Sequence, residues 1–149
     1  MRTKNPLVSV VMNCYNGEKF LEQSVKSLKG QTYKNWELIF FDNNSEDKSL
    51  SIINSLKNKR FKIFKLRKLL NLYHARELAI KKANGKYISF LDVDDLWNSN
   101  KLKYQVRFLQ RNKNYKFCYS NYFIKKKFKI KKVRYKDNLN SGKITQNLL

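Results

Sequence analysis

Apolar residues along this chain fall into two kinds of pattern: dense short runs, and stretches where they recur every three or four positions. Leu7 to Met12 and Trp36 to Phe41 are runs rich in β-branched and aromatic residues, bounded by polar turn formers, and predict buried strands. From Glu18 to Lys29 the apolar positions Phe20, Leu21, Val25 and Leu28 keep helical spacing, with Gly30 as the stop. Ser45 is expected to cap a second helix whose apolar stripe is Leu50, Ile53 and Leu56. Phe61, Ile63, Phe64 and Leu66 predict a third, peripheral strand. A helix from about His74 to Ala83 would bury Ala75, Leu78, Ala79 and Ala83, and Gly85 would end it. Tyr87 to Leu91 predicts another buried strand. A helix from about Asn100 to Arg111 shows Leu102, Val106 and Leu109, and Phe117 to Tyr119 reads as one more short strand.

Strands alternating with amphipathic helices across short loops imply right-handed βαβ units, hence an α/β fold with a mostly parallel sheet flanked by helices. The alternation stops near residue 122. Beyond it Phe128, Ile130, Val133 and Tyr135 are spaced among lysines, which predicts a solvent-facing hairpin followed by the start of a helix. Residues 1–122 are therefore expected to form the domain, and 123–149 a basic extension of it. A length of 149 residues allows one domain with a real core, and 42% hydrophobic and 14% aromatic content excludes a disordered chain. The apolar runs are too short to span a bilayer, and the N-terminus lacks a signal-peptide cleavage pattern. Cys14 and Cys118 fit no zinc or disulfide framework, so a reducing cytoplasm is the expected compartment.

Charge modifies this picture. The net charge is +22, and residues 99–149 hold fifteen basic residues against one acid. Such a segment suits an anionic membrane surface or nucleic acid, unless it only continues the lysine-rich bias of the whole chain.

The eleven acids are scarce enough for their placing to matter, and Asp92, Asp94 and Asp95 stand together right after a strand. Carboxylates packed this closely repel one another, and desolvation aggravates the repulsion. Alone, the triplet is either a solvated turn capping the next helix or a site for Mg²⁺ or Mn²⁺, hard cations held by one or two carboxylates plus substrate phosphates. Two further polar clusters, Asn13 to Asn16 and Asp42 to Asn44, also follow predicted strands. In an open α/β sheet ligands bind beyond the carboxyl ends of the strands, so all three clusters meet at one rim. Amides and a carboxylate there suit a base and a ribose, and the acidic triplet suits a metal-held diphosphate.

Six motifs in order then resemble the family 2 glycosyltransferases of the GT-A fold. They are Val8-Ser-Val-Val-Met-Asn-Cys-Tyr-Asn16, Gln31-Thr-Tyr-Lys-Asn-Trp-Glu37, Phe41-Asp-Asn-Asn-Ser-Glu-Asp47, Ala75-Arg76, Ala83-Asn-Gly-Lys-Tyr-Ile88 and Leu91-Asp-Val-Asp-Asp-Leu-Trp97. The resemblance runs from about Leu7 to Tyr122. It implies a nucleoside-diphosphate sugar donor, with UDP-sugar first, transfer with inversion, a divalent cation, and a sugar or lipid-linked acceptor. It also implies that Asn13 and Tyr15 line the nucleotide pocket, that Asp42 and Asn43 hold the base and ribose, and that Arg76 approaches the diphosphate. Asp94 would be the metal ligand, with Asp92 reaching the metal, the ribose or the sugar. The family often carries a second aspartate where Asn43 stands. Asp95 is expected to orient the loop or cap the next helix, Trp97 and Cys14 to pack, and His74 to lie solvated at a helix start.

An inverting transfer needs a general base near the acceptor hydroxyl. The one acid after Asp95 is Asp137, in a polar stretch with nothing apolar to position it, and it is not given that role. The family usually continues into an acceptor-binding half, so the sequence is expected to be truncated at its C-terminal side, with the base beyond residue 149. This chain is then expected to bind donor without turnover. The cytoplasm is the expected location, with peripheral attachment to the inner membrane face through the basic tail left open. The rival reading is a basic binding module without catalysis, recruiting nucleic acid or membrane.

Overall fold

The computed structural model describes residues 5–56, 58–120, 122–126 and 129–132. The first unit, Met1–Val106, holds a four-stranded sheet. Its strands are β1 (Val8–Cys14), β2 (Trp36–Asp42), β3 (Phe61–Lys65) and β4 (Tyr87–Phe90), all parallel, in the order β3-β2-β1-β4. Between them run α1 (Glu18–Lys29), α2 (Ser49–Ser55) and α3 (Leu72–Ile80), and α4 (Lys101–Arg111) follows β4.

Strand alternation sorts the core into two layers. Val8, Val10, Met12, Leu38 and Phe40 pack with Leu21, Val25 and Leu28 of α1, Ile53 of α2, and Leu102 and Val106 of α4. On the other face Val11, Ile39 and Phe41 pack with Ala79 of α3, where alanine lets the helix lie close to the sheet. The crossover through α3 returns the chain past β2 and β1 to pair β4 with β1, and the order reverses there. That reversal makes the carboxyl end of the β1–β4 pair the crevice where an open α/β sheet binds ligands.

At the opposite end of the strands Glu37 joins four segments. Its Oε1 accepts from Ser9 Oγ at 2.6 Å and from the Asn84 N–H at 2.8 Å, while its Oε2 pairs with Lys62 Nζ at 2.7 Å. Ser9 Oγ in turn accepts from the Gly85 N–H at 2.7 Å. Gly85 is needed there, since a Cβ would lie 2.5 Å from Ser9 N.

Several expectations shift. β1 and β2 run further than predicted, so Asn13, Cys14 and Asp42 are strand residues. Lys48, not Ser45, stands at the N-cap of α2, because Ser45 Oγ is taken by the Asn16 N–H at 3.0 Å. Helix α3 starts at Leu72, capped by Asn71, ahead of the expected His74. β4 is less buried than its apolar run suggested: as the last strand of this sheet it leaves Ile88 42% and Phe90 46% exposed.

The second unit, Arg107–Leu149, has no strand over Phe117 to Tyr119. A hairpin does form, earlier than expected, from β5 (Phe123–Lys126) and antiparallel β6 (Lys129–Lys132). Phe128, Val133, Tyr135, Asp137 and the expected helix start lie outside the described residues. The two compact units divide between Val106 and Arg107.

Burial pushes the Glu37 carboxyl upward, but Lys62, Ser9 and Asn84 together outweigh it and hold the carboxyl below its ordinary value of 4.5. A carboxyl held low in the folded state contributes stability above its unfolded pKa and loses it as pH falls through the folded value. Glu37→Gln should therefore destabilise the fold near neutral pH, and its difference from wild type should shrink as pH drops below 4.5. Thermal melts of both proteins across that range measure it.

Candidate functional site

The carboxyl rim is built from three loops, and hydrogen bonds lock the first two together. Asn16 and Asn44 both adopt left-handed backbone, with φ of 50° and 62°, a conformation asparagine tolerates best after glycine. Those two turns bring the β1–α1 and β2–α2 loops side by side. The Glu46 N–H donates to Asn16 Oδ1 and the Gly17 N–H to Ser49 Oγ, both at 2.9 Å. The starts of α1 and α2 also cap each other. The Glu18 N–H donates to Asp47 Oδ2 and the Lys48 N–H to Glu18 Oε2, again at 2.9 Å. The first N–H of α1 and the N-cap N–H of α2 are thereby satisfied from across the two loops.

Within this frame some polar atoms are left without hydrogen-bond partners. Both amide atoms of Asn13 and Oδ1 of Asp42 are buried and have no partner among the described residues. Asp42 Oδ2 accepts from the Ser45 N–H at 3.3 Å. By strand alternation Asn13 belongs to the α3 face and Asp42 to the α1–α2 face, so these groups flank the rim from two sides. Buried polar groups are nearly always paired, and each unpaired atom costs about 1–3 kcal/mol. A ligand offering donors and acceptors at this rim would recover that cost. Tyr15 is exposed beside them. Cys14 is buried, and burial pushes its thiol upward against the lowering hydrogen bonds of Ser49, Gly17 and Ser45, so it does more than pack.

The third loop carries the acids. Leu91 is buried and its N–H donates to Val11 O at 3.0 Å, which fixes where the acidic stretch begins. Asp92 and Asp94 are exposed, and Arg76 of α3 donates from Nη2 to Asp92 Oδ1 at 2.6 Å. Arg76 therefore meets the acidic loop directly. The Asp95 N–H closes a turn onto Asp92 O at 3.0 Å. Asp95 is pushed above its ordinary 3.8, by burial first and then by the charges of Asp94 and Asp92. The loop beyond is pinned to α1: the Trp97 N–H donates to Ser27 Oγ at 3.1 Å, and buried Gln31 accepts from the Leu102 N–H at 3.1 Å. Gln31 thus serves the start of α4, a role its place in the sequence did not reveal. Trp97 packs against the core as expected, and His74 is exposed in the first turn of α3.

Among the described residues no three His, Cys, Asp or Glu side chains gather into a cation cage. Exposed carboxylates of Asp94 and Asp92 fit a different arrangement, a hard divalent cation held by one or two protein oxygens with substrate phosphates completing its shell. Asn43 was expected at the base, but both atoms of its amide meet the backbone of Leu70. Two shallow hollows, one beside Asn54, Phe61 and Ile63 and one beside Tyr33, Lys34 and Lys103, include none of the rim residues.

A family model for glycosyl transferase family 2 matches residues 9–148. The chain is 40% identical over 124 residues to an Escherichia coli protein, UDP-Glc:alpha-D-GlcNAc-diphosphoundecaprenol beta-1,3-glucosyltransferase WfaP, covering 83% of this chain and 49% of the relative. It is 38% identical over 118 residues to a second Escherichia coli glucosyltransferase of the same description, WfgD, covering 79% and 46%. Among solved structures it resembles residues 1–349 of S. aureus TarS in complex with UDP, at 29% identity and a TM-score of 0.68, covering 71% of this chain and 32% of that one. The chain spans about half the length of these curated relatives.

Gly17 gives the rim a mechanical test. A Cβ there would lie 2.7 Å from Val93 Cγ2 and 2.8 Å from Cys14 Sγ, wedging the acidic loop away from β1. Gly17→Ala should lower stability by about 1–3 kcal/mol, the usual cost of overpacking. Gly30→Ala, in right-handed backbone with no contact shorter than 3.4 Å, should leave the melting temperature unchanged or slightly raised. Thermal denaturation of the two variants decides it.

Proposed function

The chain belongs to glycosyl transferase family 2, and from that membership we propose that these residues bind a UDP-sugar for transfer to a glycan or lipid-linked acceptor with inversion. The observation that supports this most is the set of buried, unpartnered polar atoms of Asn13 and Asp42 at the carboxyl rim. TarS, at 29% identity, was solved with UDP, and its complex with UDP-GlcNAc is 28% identical with a TM-score of 0.66. The Escherichia coli relatives are described as acting on a diphosphoundecaprenol-linked sugar, which suggests a lipid-linked acceptor here.

In this reading Asn13 and Asp42 hold the nucleoside and Tyr15 lies over it. Arg76 stands where the diphosphate would lie, at the mouth of the β1–β4 crevice. The acceptor hydroxyl attacks the anomeric carbon, the bond from that carbon to the diphosphate oxygen breaks, and the proton passes to a base not assigned among these residues. Arg76 neutralises charge growing on the departing diphosphate, an interaction stronger in the transition state than in the ground state. Mg²⁺ or Mn²⁺, when held by Asp94 with Asp92, supplies further neutralisation of the same leaving group. A cytoplasmic protein peripheral to the inner membrane face would present the lysine-rich residues 125–136 to anionic lipid.

Isothermal titration of the 149-residue chain with UDP and UDP-sugars, with and without Mn²⁺, tests the reading. Wild type should bind UDP more tightly with the cation, and binding that moderate salt abolishes, with no response to Mn²⁺, favours a purely basic binding module. Asp94→Asn keeps the shape and removes one charge. Outer-shell partners alone are worth about 10–100-fold in metal affinity, so this variant should lose at least about tenfold in Mn²⁺-dependent UDP affinity. Its melting temperature should barely move. Equal UDP affinity in variant and wild type would remove Asp94 from the metal site.

A further inference from the structure

Asn43 is only 6% exposed, and its side chain behaves as an extra rung of sheet. Its Nδ2 donates to Leu70 O at 2.7 Å, while its Oδ1 accepts from the Leu70 N–H at 2.9 Å. Its own backbone N–H donates to Cys14 O at 2.7 Å. One residue thus ties the ends of β1 and β2 to the loop that leads into α3. The same loop is held at its other end, where the Leu66 N–H donates to Asp42 O at 2.8 Å.

The connection continues beyond Leu70. Asn71 caps α3 by accepting from the His74 N–H at 3.0 Å. Arg76, one turn on, donates to Asp92 at the end of β4. Fixing Leu70 therefore fixes where α3 begins, and with it how far the Arg76 guanidinium reaches.

We infer that Asn43 is a positioning residue that clamps the β3–α3 loop through the Leu70 backbone and so aims Arg76 at the diphosphate. It does this in place of reading the nucleobase, as the resemblance implied. This rests on the donor-binding reading above. The chemistry of the clamp requires an amide. An aspartate could accept from the Leu70 N–H but would turn a lone pair toward Leu70 O, leaving that carbonyl without its donor.

Base reading and clamping predict different losses for ligands with and without the diphosphate. Calorimetry on wild type, Asn43→Ala, Arg76→Ala and the double variant, with uridine and with UDP plus Mn²⁺, separates them. Asn43→Ala should leave uridine affinity within about twofold and lower UDP affinity about tenfold, roughly 1.4 kcal/mol. In the Arg76→Ala background it should cost nothing more, since groups acting through one another are not additive. Asn43→Asp should fail to restore UDP binding. An equal loss for uridine and UDP, or losses that add with Arg76→Ala, would overturn the clamp and return Asn43 to the base. Wild type that binds neither ligand would overturn the donor reading beneath it, a distinct result. Should Asn43→Ala not fold by circular dichroism, Asn71→Ala interrupts the same connection farther on. It should weaken UDP and spare uridine, and loss of both or of neither overturns the inference.

Discussion

Everything in the first unit hangs on the double pairing of β1. Val8–Cys14 lies in register against Trp36–Asp42 on one side, and Val8–Val11 against Tyr87–Phe90 on the other. A strand paired on both edges and covered on both faces must be apolar or internally hydrogen-bonded, as Val8, Val10, Val11 and Met12 are on the one count and Ser9 on the other. Its polar end has one outlet, the carboxyl rim, so Asn13 emerges between Asp42 at the end of β2 and the loop that carries Asp92. The reversal of strand order at β1 comes from the crossover through α3, and that same helix brings Arg76 to the acidic loop. Fold and site are set by a single topological choice.

The rim stores a cost that the core offsets. Three buried atoms without partners, two on Asn13 and one on Asp42, amount to several kcal/mol at about 1–3 kcal/mol each. Against this stands the burial of apolar side chains such as Phe40, Met12, Leu21, Leu28, Leu38 and Ile53. That burial lets the rim keep its polar groups desolvated and fixed in advance. The mutual capping of α1 and α2 through Glu18 and Asp47 serves the same end, since it holds the β1–α1 and β2–α2 loops together.

Periodicity exposed the elements because burial and spacing agree wherever a residue faces the core. Leu21, Val25 and Leu28 are buried where helical spacing put them, and Gly30 ends α1. Pattern misled where neighbours decide the outcome. Ile88 and Phe90 look like core residues, yet β4 is the last strand of its sheet. Ser45 looks like a cap, yet Asn16 takes its hydroxyl. Asn71, one residue before Leu72, is a cap signal that apolar spacing alone does not weigh, so spacing sets the helix start too late, at His74. The polar clusters after the strands were legible because parallel topology sends their ends to one rim. Which amide is left unpartnered and which is taken was not, since Asn13 and Asn43 differ only in what lies across from them. The Asn16-Gly17 pair was the one local hint of the left-handed turn that joins the loops.

Charge compensation at the rim carries the argument one step further. Arg76 is already paired with Asp92, so a diphosphate bound as proposed would compete with that carboxylate for the same guanidinium. Drawing Arg76 away would leave Asp92 uncompensated beside Asp94 and Asp95, and Asp95 is already pushed upward in part by its two neighbours. Like charges this close must be neutralised by a proton, by solvent or by a counter-cation, and of these a divalent ion shared with the diphosphate relieves both sides at once. One arginine beside three carboxylates leaves the rim short of positive charge even when empty, and a diphosphate bound there would deepen the shortfall. That imbalance gives a physical reason for acids and an arginine to share the rim, if it receives the proposed diphosphate.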